Sequence, residues 1–186
     1  GGGFYDYPDG QMQSPDEAAA PAYDGRPVWV SGAEADGKAE VVGVLKEAGA
    51  NIDDGVEPGA DSLILVTPVG DDATTAAVDQ GLDPERTVAV DTVVGFGRRR
   101  TLMTTPVTDP AFRDAAHGVM SADGVPATVV NDGAGFVAQR IIAMICNVGC
   151  SVAQYGVASP EDIDKAVTLG LNYPYGPLEF GDRIGP

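Results

Sequence analysis

The chain is short of cysteine, histidine and basic residues. Among 186 residues there are two cysteines and one histidine, and 11 lysines and arginines face 28 acids, for a formal net charge of −17. One histidine and two cysteines cannot supply a ligand set, so no zinc site is readable. Cys146 and Cys150 stand one helical turn apart, a poor geometry for a disulfide, and are read as buried free thiols in a reducing cytoplasm. The acidic balance argues against nucleic acid, whose phosphates would meet a repulsive field. No apolar run approaches the roughly 20 residues of a membrane span. No signal-peptide pattern opens the chain and its first residue is Gly1, so we expect a cytoplasmic segment of something longer. Hydrophobic residues are not scarce: at 44% they suffice for a core, in one large domain or two small ones.

Three parts follow in order. Residues 1–25 read as a tail and linker, because Pro8 to Gly25 is rich in proline, alanine and acid and has no sustained period. From Arg26 to Val130 short apolar runs alternate with helical stretches. Strands are expected at Val28–Val30, Ala50–Ile52, Leu63–Val66, Thr87–Val90, Leu102–Thr104 and Thr128–Val130. Helices are expected at Lys38–Ala48, Asp72–Val78 and Pro110–Met120. Such alternation implies an α/β fold with a parallel sheet covered by helices, Rossmann-like in layout. Residues 131–186 read as a small all-α module.

A dinucleotide site needs a glycine-rich turn after the first strand, so that backbone N–H groups can approach the pyrophosphate. Ser31-Gly32-Ala33-Glu34-Ala35-Asp36-Gly37 stands there, and its spacing reads as wrong. Glu34 and Asp36 would set carboxylates where phosphates belong, and like charges about 4 Å apart repel by roughly 4 kcal/mol near a surface. Asp53 and Asp54 follow the second strand, where an acid could hold a ribose hydroxyl; without the turn they read as solvated acids. No cofactor is expected on this chain.

The helical end carries the clearest pattern. Val137, Ile141, Met144, Val148, Val152 and Tyr155 trace one helix face, and Ala138, Ile142, Ile145 and Gly149 a second. A helix apolar this far round is expected to be covered twice, by its own domain and by a partner. Gly156 stops it. Ser159-Pro160-Glu161-Asp162 then opens another helix with an N-cap hydroxyl, a proline and two acids; Ile163, Ala166, Val167 and Leu169 face in and Gly170 closes it.

The order GF-x-x-x-R, a long apolar helix, SPEDID-x-A and P-x-GPLEF-x-D-x-IG resembles the C-terminal helical domain of NAD-dependent 3-hydroxyacyl-CoA dehydrogenases. It rests on Gly135, Phe136, Arg140, Asp164, Ala166, Gly170, Pro174, Gly176, Pro177, Leu178, Asp182 and Gly185. The opening Gly1-Gly2-Gly3-Phe4-Tyr5-Asp6-Tyr7 resembles the tail that ends such a domain, which implies a preceding dehydrogenase copy. The resemblance also implies a long helical excursion after the second strand; only about ten residues separate Ile52 from Leu63 here, so the Rossmann-like sheet is reduced.

The resemblance implies an oxidoreductase that converts 3-hydroxyacyl-CoA to 3-ketoacyl-CoA with NAD. Its base is the histidine of H-x-x-N-P, held by a glutamate. Here Leu102-Met103-Thr104-Thr105-Pro106 fills that pattern, so Leu102 stands at the base. His117 lies outside the motif and reads as a surface histidine. The family's substrate-contacting asparagine is Gln139, which could still donate a hydrogen bond. Arg98-Arg99-Arg100, the one basic cluster, reads as a solvated loop, a CoA phosphate contact or a salt-bridge patch. No catalytic residue is assigned. Together these departures resemble long, phenylacetate-type 3-hydroxybutyryl-CoA dehydrogenases, in which a catalytic copy precedes a reduced one. The apolar faces around Phe136, Ile141, Ile142, Ile145 and Val148 would then pack on an upstream helical domain or a second copy. A non-catalytic module that binds acyl-CoA or a protein stays open beside this reading.

Overall fold

The computed structural model describes residues 4, 5, 7, 10–12, 17–33, 35–94 and 96–184. Much of the opening glycine-aromatic heptapeptide, Glu34 and Gly185 fall outside them. The apolar runs form six strands: β1 (Val28–Val30), β2 (Ile52–Asp53), β3 (Leu63–Val66), β4 (Thr87–Val90), β5 (Arg100–Thr104) and β6 (Ala127–Val130). They make one sheet in the order β2-β1-β3-β4-β5-β6. Three helices come between strands, α1 (Ala35–Glu47), α2 (Ala73–Asp79) and α3 (Pro110–Val119). Three more follow the sheet, α4 (Ala138–Gln154), α5 (Pro160–Leu171) and α6 (Pro177–Ile184).

The strands β2, β1, β3 and β4 are parallel. β5 runs antiparallel to β4, with Val88 opposite Thr104, and β6 runs parallel to β5. A sheet parallel throughout was therefore too simple an expectation. The described residues of the link 91–99 contain no helix, and a parallel neighbour needs a crossover of roughly a dozen residues or more, so the short link suits a turn back.

Residues alternate between the two faces of the sheet. Leu63, Leu65, Val88 and Leu102 join Leu45 of α1 and Val119 of α3 in one core cluster. Ile64, Val66, Ala89 and Met103 join Ala73 and Ala76 of α2, and Phe136, in the other. β3 and β4 are buried at every position, which is why they read as unbroken apolar runs.

Part of the supposed linker belongs to the sheet. Tyr23 packs against the first cluster and its hydroxyl donates to Arg26 O. Glu17 pairs with Arg99 at 2.6 Å. At Gly118 of α3 a Cβ would come within 2.7 Å of Pro21 O and Tyr23 N, so this glycine makes the notch in which the segment lies. An alanine- and proline-rich composition has no period to betray such docking.

The helix ends are local chemistry. Asp72 accepts from Thr75 N to cap α2, and Ser159 accepts from Asp162 N to cap α5, with Pro160 in its first turn. Gly170 does not close α5. The helix runs on to Leu171, and Asn172 takes the left-handed cap at φ 56°. Leu169 and Ala166 are exposed instead of facing in, and only Ile163 and, in part, Val167 turn inward. The helix α6 was not anticipated at all.

A closed sheet edge and an open helical face

The carboxyl ends of β1 and β3 carry the loops that diverge to opposite faces of the sheet, the usual place for a ligand in such a fold. Gly32 and Gly37 have the separation of the first and third glycines of a dinucleotide turn, so reading the spacing as wrong was mistaken. The middle position, Glu34, is what departs, and it lies outside the described residues. Gly37 does what the third glycine does: a Cβ on it would sit 2.6 Å from Thr67 Oγ1 and 2.9 Å from Thr92 Oγ1. Asp36 lies in the first turn of α1, and Lys38 sets Nζ 3.8 Å from where a Cβ on Gly32 would be. Ser31 is buried; its hydroxyl donates to Gln80 Oε1 and accepts from Ala33 N at 3.1 Å.

Asp54 is exposed, as a solvated acid would be, but Asp53 is only partly exposed and is held by the chain. One carboxylate oxygen accepts from Gly55 N at 3.0 Å, the other from Gly59 N at 2.8 Å and Ser62 Oγ at 2.5 Å. The Ser62 hydroxyl and then the two amides hold its pKa below the usual carboxylate value. The residue at the ribose position is spent on folding loop 54–62.

Leu102, at the base position, is wholly buried in the first cluster. His117 is on the last turn of α3 and lines a hollow of about 180 Å³ with Glu17 and Ser121. The three arginines do not act as one cluster. Arg100 is buried on β5 (side chain 4% exposed) and pairs through two nitrogens with Asp123 at 2.8 and 2.6 Å, while donating to Met120 O. That pairing holds the Asp123 carboxyl down at about 2. Arg99 is taken by Glu17 and Thr128. Only Arg98 is left exposed without a recorded ion pair among the described residues. A phosphate grip by all three is overturned, because Arg100 alternates inward on its strand.

The family-motif residues of the helical end fasten elements together. Asp132 accepts from Ala73 N at 2.9 Å and from the Thr74 hydroxyl, a second cap on α2. Gly135 (φ 74°) and Phe136 (φ 49°) make a left-handed turn, and Gly135 N donates to Asp71 O at 3.0 Å. A bulky residue with positive φ is strained, and here the strain aims Phe136 into the second core cluster. Gln139 is buried, accepts from Gly70 N at 2.8 Å and donates to Asp91 Oδ1 at 3.0 Å. Its amide is thus not free for a substrate, and Phe136 is not part of an outer face. Neither is Ile142, which is 8% exposed. Arg140 is exposed beside Gly133 and Gly135.

Further on, Asp164 of α5 accepts from Leu178 N at 2.9 Å and Glu179 N at 3.1 Å, capping α6 from outside. A Cβ on Gly176 would fall 2.3 Å from Asp164, and one on Gly149 of α4 would fall 2.6 Å from Pro177. Asp164, Gly176, Pro177 and Gly149 are therefore one lock joining α4, α5 and α6. Tyr175 and Phe180 meet edge to face at 5.4 Å, and Arg183 lies over Tyr175 at 3.8 Å. Gly170 and Asp182 are exposed and take no part.

Two concave regions result. Between α4 and α5 an open groove of about 410 Å³ is lined by Ile141, Met144, Ile145, Val148, Val152, Ile163 and their apolar neighbours. Ile141, Met144 and Val148 are each more than half exposed, at 56%, 60% and 56%. On the far side of α4 a cleft of about 310 Å³ separates the helices from the sheet's carboxyl edge. Val69, Val93, Ile142, Cys146 and Ile184 line it. Cys146 did not stand out in the sequence as a cleft residue, nor Asp91 as the buried acid behind Gln139. Among the described residues no helix is long and apolar enough to cross a membrane, and no cluster of metal-ligating side chains occurs.

A mostly parallel α/β sheet bolted to a three-helix lock places the chain in the class of Rossmann-type proteins with a C-terminal helical domain. Residues 135–186 match the family described as 3-hydroxyacyl-CoA dehydrogenase, C-terminal domain. Over 126 residues, 67% of its length, the chain is 34% identical to the 3-hydroxyadipyl-CoA dehydrogenase of Escherichia coli (strain K12), of which the match covers 25%. Over 56 residues, 30% of this chain and 20% of the relative, it is 46% identical to the 3-hydroxybutyryl-CoA dehydrogenase of Clostridioides difficile. The crystal structure of 3-hydroxybutyryl-CoA dehydrogenase from Escherichia coli K12 is similar at a TM-score of 0.55 and 31% identity, covering 65% of this chain and 25% of that one. For the fold alone, FadB2 of M. tuberculosis is similar at a TM-score of 0.63 and 22% identity, over 88% of this chain and 55% of that one. The helical end of the chain belongs to the 3-hydroxyacyl-CoA dehydrogenase family, as its C-terminal domain. The chain spans about a quarter of the length of the curated relatives it matches.

Proposed function

We propose that this chain is the non-catalytic part of an NAD-dependent 3-hydroxyacyl-CoA dehydrogenase that oxidises 3-hydroxyacyl-CoA to 3-ketoacyl-CoA. In the parent enzyme NAD accepts the hydride, on a sheet outside this chain. The observation that carries the reading is Leu102: at the proton-acceptor position it is an aliphatic side chain sealed in the core. Leucine cannot take a proton, and nothing moves it toward a substrate. Loss of the dinucleotide agrees. Asp53 is engaged on both oxygens, and Asp36 puts negative charge in the helix turn where phosphates would dock. Lys38 offers one opposing charge, which does not replace the ribose contact.

The positive role belongs to the α4 groove. Covering Ile141, Met144, Ile145 and Val148 with another helical domain removes apolar surface worth about 1.5–3 kcal/mol for each side chain fully buried, before entropy is subtracted. That cover would be the preceding copy in the parent, and would complete the acyl-CoA cleft from one side. The 126-residue match takes up only 25% of the 3-hydroxyadipyl-CoA dehydrogenase, which supports a longer parent with room for such a copy. Separated from the parent, the chain is expected to dimerise through this face. Size-exclusion with light scattering at micromolar concentration checks it, and a clean monomer counts against it.

The second reading is a binding module for acyl-CoA without chemistry. The apolar cleft beside Ile142 and Cys146 favours it. Calorimetry with acetoacetyl-CoA separates the two: saturable heat on the isolated chain supports the binding module, and none supports the scaffold.

A further inference from the structure

We propose that Gln139 is a latch that holds α4 against the carboxyl edge of the sheet, so that the cleft beside Cys146 keeps one fixed width. The geometry behind it is two-sided. Gln139 Oε1 accepts from Gly70 N, on the loop after β3, at 2.8 Å. Its Nε2 donates to Asp91 Oδ1, at the end of β4, at 3.0 Å, and approaches Pro68 O at 3.4 Å. One amide thus ties a helix of the module to two loops of the sheet. Gly135 N on Asp71 O and Asp132 on α2 hold the connecting segment, which fixes a pivot. Gln139 lies beyond that pivot, where a bond also sets the angle.

The latch has an all-or-none character because of Asp91. This carboxylate is 1% exposed; Oδ1 also accepts from Val93 N at 3.1 Å, while Oδ2 has no partner among the described residues. Without the Gln139 donor, Asp91 keeps a single amide in a buried place. An under-satisfied buried carboxylate is costly, and the relief nearest to hand is water entering as the cleft opens. Side-chain length matters as well. Asparagine is one methylene shorter, so from the same backbone it is expected to keep at most one of the two bonds.

Two thiols on α4 read the opening. Cys146 lines the cleft and is half-buried, whereas Cys150, one turn further on, is exposed. In a Cys150→Ser background, alkylation of Cys146 is expected to be slow, and adding Gln139→Met is expected to speed it roughly tenfold or more, the scale of two lost buried hydrogen bonds. Methionine keeps the side chain's volume and removes both bonds. Gln139→Asn should speed it by an intermediate factor. In a Cys146→Ser background the alkylation of Cys150 should not change. Hydrogen exchange at β3 and β4, followed in parallel, should stay protected. A Cys146 rate that stays within about twofold in Gln139→Met overturns the latch. So does a faster rate accompanied by loss of β3 protection, because Gln139 would then serve global stability and not the cleft angle.

Discussion

The carboxyl edge of the sheet and the outer face of α4 answer opposite needs. At the sheet edge, most polar side chains are engaged within the chain: Ser31 by Gln80, Asp53 by Gly55, Gly59 and Ser62, and Gln139 by Gly70 and Asp91, with Thr67 Oγ1 and Asp91 Oδ2 left buried without a partner among the described residues. Along α4, apolar groups that could pack within the chain are left in solvent. Burial of a polar group demands a partner, and exposure of an apolar stripe invites one. The contrast teaches that the chain leaves its largest unpartnered apolar surface on the helices, not at the sheet edge where the fold usually places a ligand.

The largest effect is expected where a buried charge would lose its partner. Asp123→Ala leaves the Arg100 guanidinium sealed on β5 with only Met120 O, and should destabilise the chain by about 3–5 kcal/mol in chemical denaturation. If the sheet tolerates it, the edge is less closed than its hydrogen bonds imply. Next come the helix locks. Gly176→Ala forces a methyl into Asp164, and Gly149→Ala forces one into Pro177. Each should cost about 1–3 kcal/mol by overpacking, lowering the melting of α4–α6 while hydrogen exchange in β3 and β4 holds.

The pH response has a definite sign. The carboxyl of Asp123 is held at about 2 in the folded chain against an ordinary 3.8, because Arg100 stabilises its charged form. Its contribution is complete above the ordinary value and disappears as the pH falls through about 2. Urea unfolding of the wild type and of Asp123→Asn should therefore converge over that window and diverge above it. The smallest stability effect is expected on the open face. Ile141→Asp with Val148→Asp should alter monomer stability by about 0.5 kcal/mol or less for each site, yet abolish self-association in light scattering. Dimers that survive both changes would place the interface elsewhere.

Much of this molecule is legible in its sequence where the signal is local. The runs at Leu63–Val66 and Thr87–Val90 are strands because every position is buried, and Ser159-Pro160 starts a helix because a hydroxyl and a proline suit its first turn. The resemblance through Asp164, Gly176 and Pro177 located the lock without explaining it; the steric reason appears only when α5 and α6 are brought together. What failed was long-range. Asp53 looked solvated because Gly59 and Ser62 reach it only after the loop has folded. Gln139 and Arg100 looked like ligand contacts because a one-dimensional pattern does not say which way a side chain points. The helix α6 escaped because its eight residues include Gly181, and its cap comes from Asp164 on a different helix instead of from the residues just before it.

The most direct test of a closed sheet beside an open helical face is a calorimetric titration of the chain with NADH, run on dimer and on the Ile141→Asp, Val148→Asp monomer alike. No saturable heat is expected in either. Stoichiometric binding that is lost on replacing Asp53 would show the ribose position still at work and would contradict the claim.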